Sequence, residues 1–382
     1  MGVSDIVCRF KLPAGNGGTI QYTNASLNNG WGYSLIRTIS VRYGGSSQYF
    51  WTGAQMYAQN LLDAENDAKR DAIVNLGGVF AVGADCSGAE ALVYINLPHN
   101  SPRAEGKPLP FPSDLLTQPI VLTIELNSPA AIFGGSNTTD PTNLPTQLDT
   151  AELQVNQEYM SDTADLLARR VDMNVHAISV PLKYFAQQEV INQFSAGTQG
   201  KGVQVNLTGF RAGEVKDIML WLEVQGLPNY GGAAQWIWPG LEDVELRYNG
   251  EIFFKAAGRS SLLWNLVEDK KRAGFSTSWL DTTQNPTTAA DYFSKWTLVK
   301  FSQVDVPRDR MYDLVSGKPV LNAVINLTFS MPDDIYVDNA GNAEPLLNPN
   351  GTIVSGLTVR LHAIYLYNAS ILCSRGTSEY IF

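Results

Sequence analysis

Ile39-Ser-Val-Arg-Tyr-Gly-Gly45 and Val244-Glu-Leu-Arg-Tyr-Asn-Gly250 are two copies of one pattern, 205 residues apart. At that offset Arg42-Tyr43 falls on Arg247-Tyr248, Gly45 on Gly250, Gly53 on Gly258, and Asn60-Leu61 on Asn265-Leu266, without a gap. Between the identities the chemistry is kept: Ile39 meets Val244, Val41 meets Leu246, Tyr49 meets Phe254 and Asp63 meets Glu268. Each copy reads as an alternating strand, a glycine turn, a second aromatic segment and a helical stretch. Period-two alternation puts apolar residues on one face of a strand, and glycine supplies the turn.

Two further pairs recur in the same order. Leu92-Val-Tyr-Ile-Asn-Leu-Pro98 resembles Val299-Lys-Phe-Ser-Gln-Val-Asp-Val-Pro307, and each is followed by a turn-rich stretch and another strand, Ile120–Leu126 or Val320–Phe329. Glu152-Leu-Gln-Val-Asn-Gln-Glu-Tyr159 then matches Thr358-Val-Arg-Leu-His-Ala-Ile-Tyr365. A period near 200 residues is a domain duplication rather than a solenoid. The expected division is a first unit over residues 1–165, a linker over 166–175 and a second unit over 176–382. Asp162–Arg170, acidic at its start and basic at its end, suits a short helix at this boundary. The main helix candidate is Gln55–Ile73. Turn chemistry predicts long loops at Ser128–Thr150 and Pro332–Gly356, both just before the last strand of their unit, and further loops at His99–Pro112 and Ser276–Ala290.

The chain has 382 residues, enough for two ordinary domains. It is 44% hydrophobic and 17% charged, which allows a sizeable core. Its formal net charge of −10 argues against direct genome wrapping, because an acidic surface gains nothing from counterion release. Cys8, Cys86 and Cys373 form no spaced framework and read as free thiols. No secretory leader is expected at Met1–Phe10, and no window resembles a span of about 20 apolar residues; Leu76–Leu97 is interrupted by Asp85 and Glu90. Many short strands, matched long loops and few helices predict an all-β chain of β-sandwich type.

The ordered motifs resemble the double-jelly-roll major capsid proteins of eukaryotic double-stranded DNA viruses, the group of nucleocytoplasmic large DNA viruses, virophages and polinton-like viruses. Asn29–Gly45 is similar to the family's strand ending in a Gly-Gly turn. Gln55–Leu62 resembles the helix that follows it, with fewer tryptophans. Tyr94–Pro98 with Asp114–Leu126 resembles the strand, short helix, strand element of the first roll, and Leu153–Arg170 its last strand and linker. Gly213–Leu222, Asp243–Gly250 with Phe253-Phe254, and Leu357–Cys373 resemble segments of the second roll. The resemblance covers most of the chain, which is short for the large-virus members. It implies two tandem eight-stranded jelly-roll sandwiches with a few short helices in loops, and a structural protein of the virion, built as a pseudo-hexagonal homotrimeric capsomer that tiles an icosahedral shell. It further implies contacts with neighbouring capsomers, penton and minor capsid proteins, and no direct nucleic-acid binding. A lectin-like carbohydrate-binding protein and a glycan-active enzyme are the alternative readings, since fold alone does not decide function.

No catalytic, cofactor-binding or metal residue is expected, and the chain does not read as an enzyme. His99, His176 and His362 lack metal-ligand spacing. Gly15-Asn-Gly-Gly18 lacks the Lys-Ser/Thr of a phosphate loop. Asp333-Asp334 and Asp338 lack the full calcium-loop pattern and read as an exposed acidic loop. The sequons at Asn24, Asn137, Asn206, Asn326, Asn350 and Asn368 read as plain asparagines, two of them (Asn206 and Asn326) on predicted strands. Trp221, Trp236, Trp238, Trp264, Trp279 and Trp296 read as core or subunit contact rather than a sugar platform.

Overall fold

A computed structural model describes residues 2–14, 31–46, 48–53, 55–57, 60, 67–78, 87–98, 103–104, 107–108, 111–113, 116, 118–127, 147–158, 164, 167–168, 171–172, 175–194, 201–207, 214–225, 240–248, 250–257, 297–300, 318–319, 323–330, 336–337, 343–344, 357–374 and 377–381. The described chain is strand-rich with few short helices.

In the first half, the strands are β1 (Gly2–Lys11), β2 (Ile36–Tyr43), β3 (Tyr49–Trp51), β4 (Glu90–Ile95), β5 (Ile120–Leu126) and β6 (Thr150–Glu158). The helices are α1 (Trp31–Leu35) and α2 (Asp67–Leu76). The strands form two sheets. In one, β1 lies between β4 and β6; in the other, β2 lies between β3 and β5. All these pairings are antiparallel.

In the second half, the long strands are β7 (Ile178–Phe194), β8 (Lys201–Leu207), β9 (Glu214–Gln225), β10 (Gly240–Tyr248), β11 (Glu251–Ala257), β12 (Thr297–Lys300), β13 (Ala323–Ser330) and β14 (Leu357–Ser374). A short β15 (Thr377–Ile381) folds back on β14. One sheet runs β7-β14-β9-β12 and the other β8-β13-β10-β11. The first strand lies beside the last long one, and the second beside the one before it. That winding in two sheets is the jelly-roll arrangement.

The two halves repeat each other in register as well as in order. Ile39 pairs Trp51 and Val41 pairs Tyr49 on β2–β3, while Val244 pairs Ala256 and Leu246 pairs Phe254 on β10–β11. These are the residues that the offset of 205 superposes. On the next ladder Ile39 pairs Ile124 and Val41 pairs Leu122, matched by Val244 with Leu327 and Leu246 with Ile325. β1 sits between β4 and β6 as β9 sits between β12 and β14. Six strands of the first half therefore have counterparts in the second. Among the described residues, counterparts of β7 and β8 are absent from the first half.

The first-half core lies between its sheets. Ile6, Cys8, Phe10 and Leu12 alternate inward from β1 and its end, and Ile39, Val41 and Tyr43 from β2. Burying each aliphatic or phenylalanine side chain contributes about 1.5–3 kcal/mol. Trp31, Tyr33, Tyr43, Tyr57 and Phe111 are the largest fully buried groups. Asn60 ties this cluster to β4: its Nδ2 donates to Tyr33 Oη at 3.0 Å and to the Tyr94 carbonyl at 2.7 Å. The Tyr94 hydroxyl in turn donates to Asp5 Oδ1 at 2.8 Å.

The helical region around Gln55 begins with a reciprocal cap. Thr52 N donates to Gln55 Oε1 at 2.7 Å, and Gln55 N donates to Thr52 Oγ1 at 3.2 Å. This satisfies two donors that a helix start leaves free. Residues 53, 55–57 and 60 are helical, and α2 extends the expected Gln55–Ile73 helix to Leu76; residues 61–66 lie outside the described residues. The segment Asn29–Gly45, read as a strand, opens instead with α1, because Trp31, Tyr33 and Leu35 anchor that turn in the core. The loops His99–Pro112 and Pro332–Gly356 each contain a two-residue ladder, Arg103–Ala104 with Lys107–Pro108 and Tyr336–Val337 with Ala343–Glu344. Residues 128–146 and the loop Ser276–Ala290 lie outside the described residues.

Gly78 shows how closely the core is packed. Its φ is +91°, and a Cβ there would collide with the Trp31 indole nitrogen. Gly78→Ala is expected to destabilise the fold by at least about 2 kcal/mol, from left-handed strain plus the clash. Gly45→Ala, with open space around it, is expected to stay within about 0.5 kcal/mol. Denaturant unfolding midpoints of the two variants check this contrast.

Candidate assembly surfaces

In the sheet centred on β1 and in the sheet that holds β10, an inner strand ties its neighbours together by charge. Arg9 on β1 reaches both flanking strands: Nη2 and Nε meet the Glu90 carboxylate at 2.7 and 3.2 Å, and Nη1 meets Glu152 Oε2 at 3.3 Å. Lys11 Nζ lies 3.3 Å from Asp149 Oδ2. In the second half Glu245 on β10 plays the converse part. It accepts from Arg247 Nε at 2.6 Å, Lys255 Nζ at 3.2 Å and Asn326 Nδ2 at 3.2 Å, spanning β11 and β13.

The Arg9 hydrogen bond holds Glu90 below the usual carboxylate range, and the Arg247 hydrogen bond does the same for Glu245. A lowered folded pKa means that these pairs help the fold above the ordinary carboxylate value and lose that contribution as pH falls through the lowered one. Exposed pairs of this kind contribute little each. Their chemistry is that of tethers, because Glu90, Glu152, Asp149 and Glu245 each meet a cation.

The residues weighed for chemistry do not converge. His176 is exposed, with Nδ1 2.9 Å from Asp172 Oδ1 one helical turn earlier. His362 lies within β14, in register with Trp221 on one side and Glu189 on the other. Among the described residues there is no group of three or more His, Cys, Asp or Glu that could hold a metal ion. His99, residues 15–18, Asp333, Asp334, Asp338, Cys86, and Trp236, Trp238, Trp264, Trp279 and Trp296 lie outside the described residues. Asn206 and Asn326 stand on β8 and β13, inside one ladder. No helix among the described residues is long and apolar enough to cross a membrane.

Besides the scattered Phe50, Leu76 and Ile252, apolar residues are exposed in two groups. Residues 164, 167–168, 171–172 and 175 between the halves are helical or helix-terminal, and Leu167, Val171 and Val175 recur every four residues with exposures of 63%, 59% and 71%. Four-residue spacing puts them along one side of a helix. The second place is the β5–β6 side of the first half, where Val121, Leu126, Leu153 and Val155 are all exposed. Sequence reasoning noted the charge gradient of the linker helix and missed its apolar stripe. The spacing of Leu167, Val171 and Val175 was the available signal.

The halves also touch directly. The Ser378 hydroxyl on β15 donates to the Tyr43 carbonyl at the end of β2, beside Gly44, whose φ is +57°. The C-terminal strand of the second half thereby packs on the glycine turn of the first.

No family model and no curated protein matches the chain. Solved structures do. The chain is 15% identical to its counterpart in the PBCV-1 virus capsid, quasi-atomic model, with a TM-score of 0.57, covering 100% of this chain and 90% of that one. It is 14% identical to PBCV-1 VP54 as fitted into a cryo-EM reconstruction of the virophage Sputnik, with a TM-score of 0.57 and coverage of 100% and 89%. A third match is the Sputnik virophage structure by cryo-EM, at 11% identity and a TM-score of 0.52, covering 100% and 81%. At these identities the likeness is one of fold, and the fold is the double jelly roll.

Cys8 and Cys373 are free and buried, and burial pushes their thiols up to about 12 and about 11. Both stay neutral at neutral pH, and the thiolate is the reactive form. A thiol-modifying disulfide reagent at pH 7 is expected to leave both unmodified in the folded chain and to modify both in denaturant, as read by peptide mass spectrometry. Rapid labelling of native Cys8 would contradict its place in the β1 core face.

Proposed function

We propose that the chain is a structural major capsid protein that forms pseudo-hexagonal homotrimeric capsomers and tiles an icosahedral virion shell. The observation that carries this reading is the likeness of the whole chain, both halves in order, to structures from the PBCV-1 and Sputnik capsids. The proposed units are residues 1–165 and 176–382, joined by residues 166–175. Two similar sandwiches per chain give six around a threefold axis, and six similar bodies make a nearly hexagonal outline that can cover a flat facet. A cyclic trimer repeats one heterologous interface three times. Such an obligate interface buries more than about 2,000 Å² and is comparatively apolar.

The exposed stripe of Leu167, Val171 and Val175 supports this reading, because a contiguous exposed apolar surface marks an interaction site. The role is structural rather than catalytic, with no cofactor. Its partners are further copies of the chain, neighbouring capsomers, and penton and minor capsid proteins. The net charge of −10 supports leaving genome contact to other virion components. The protein is made and assembled inside the host cell and resides in the virion. Nothing in the comparisons favours the carbohydrate-binding or glycan-active readings.

Light scattering on the purified chain, with negative-stain imaging of the same peak, tests the reading. A trimer of hexagonal outline is the expected result, and a chain that stays monomeric at high concentration overturns it. Replacing Leu167, Val171 and Val175 together by serine is expected to weaken the trimer at least tenfold, about 1.4 kcal/mol, while leaving the unfolding midpoint of the protomer nearly unchanged.

A further inference from the structure

β14 is 18 residues long, and two strands share one of its edges. β7 runs along the whole of the other edge, from Ile178 with Cys373 to Phe194 with Leu357. On the shared edge β9 pairs with residues 358–367, and β15 takes over at residues 370–374. Ser378 of β15 stands directly opposite Cys373, and directly opposed residues of an antiparallel pair share a face. On that face Cys373 and Ile371 are fully buried, and Ser378 is 8% exposed. The Ser378 hydroxyl reaches into the other half. It donates to the Tyr43 carbonyl, which also accepts from Ser46 N at 3.1 Å. Tyr43 N in turn donates to Ser46 Oγ at 3.1 Å. Tyr43 is itself fully buried, with its ring centroid 4.8 Å from that of Phe111. The contact therefore joins the β14–β15 ladder of the second half to a turn anchored in the core of the first.

The duplication supplies an independent observation. Arg42-Tyr43-Gly44-Gly45 falls on Arg247-Tyr248-Asn249-Gly250. In the second copy the left-handed residue is Gly250, at φ +87°, and a Cβ added there would meet nothing within 4 Å. In the first copy it is Gly44, one position earlier, at φ +57°. A Cβ added at Gly44 would stand 3.0 Å from Ser378 Oγ and 3.4 Å from Leu116 Cδ2. One ancestral turn is thus closed in two ways, and the first half uses the way that leaves room for Ser378. We infer that the β14–β15 hairpin is a clasp between the halves: seating Ser378 on the Tyr43 turn couples the opening of β15 to the opening of that turn. The hydroxyl and the carbonyl are both withdrawn from water, so pulling them apart leaves buried polar groups short of a partner until water enters. Each side therefore holds the other closed, and a coupling of this kind is reciprocal. β14 carries the constraint onward, because its residues 370–374 are laddered to β7 and β15 at once. This inference is independent of the capsid reading.

The test is hydrogen exchange on the full chain, read by mass spectrometry. Ser378→Ala is expected to speed exchange at residues 43–46, in the other half, at least about threefold, the effect of losing one buried hydrogen bond, with residues 6–11 of β1 unchanged. Gly44→Ala, which fills the space beside Ser378, is expected to speed exchange at residues 377–381 at least about threefold, with β8 unchanged. In denaturant titrations the double variant is expected to lose less stability than the two single variants added together, because both release the same contact. Four outcomes overturn the inference. Ser378→Ala speeds exchange at residues 377–381 alone, which makes the hydroxyl a local feature of its own hairpin. Neither segment responds to either variant. Acceleration spreads evenly over β1 and β8, which is a general loss of stability. Or the losses of stability simply add. Should Gly44→Ala not fold, the response of residues 43–46 to Ser378→Ala decides the matter by itself.

Discussion

The ladder between β7 and β14 joins the first and last long strands of the second half and sets the path of everything between them. With Ile178 held against Cys373, the next strands inward, β8 and β13, pair in the facing sheet, and β9 with β12 and β10 with β11 complete the two layers. Loop-closure entropy rises only with the logarithm of loop length, so a fold closed this way tolerates long connections at modest cost. That is why turn-rich stretches such as Pro332–Gly356 can stand between β13 and β14 without disturbing the ladder. Loops of this kind are where a rigid sandwich carries variable surface. The same non-local pairing makes such topologies slow to form.

The first half reaches a packed core by a different balance. Its central strands β1 and β2 carry buried residues at every second position, and Trp31, Tyr33, Tyr57 and Phe111 fill the space beside them. Tyr43 and Phe111 meet with ring centroids 4.8 Å apart and Tyr33 and Tyr57 at 5.0 Å, both tilted, as the quadrupoles of aromatic rings prefer. Asn60 is the polar pin of this cluster, since it hydrogen-bonds the buried Tyr33 hydroxyl and the β4 backbone together. The packing is concentrated at the β1, β2 and β4 side. On β5 and β6, Val121, Leu126, Leu153 and Val155 are exposed.

Charge works on the outside of both sheets to one end. Arg9 binds carboxylates on the two strands beside it, and Glu245 binds cations on its own strand and the next. These tethers hold strand order on faces where hydrophobic burial contributes little, and they consume the charged groups that would otherwise be candidates for chemistry. A protein organised this way presents apolar surface, such as Leu167, Val171 and Val175, beside its charged tethers. That organisation agrees with the whole-chain likeness to viral capsid structures.

The sequence by itself determined the strands, the duplication and the turns. Period two in Ile39, Val41 and Tyr43 marks a buried face because burial acts on each residue separately, and the offset of 205 carried the same register into β10. The glycine turn after Tyr43 was legible because Gly44 occupies a backbone region that other residues rarely adopt. Only the tertiary structure decided which strand lies beside which. Alternation sets the face a residue points to, but its edge partner can be 195 residues away, as for Ile178 and Cys373. For that reason the place of β1 between β4 and β6 was invisible in its own alternating sequence. Leu153 and Val155 have the pattern of core residues; whether anything covers them is a property of the neighbouring strand, which their own sequence does not encode.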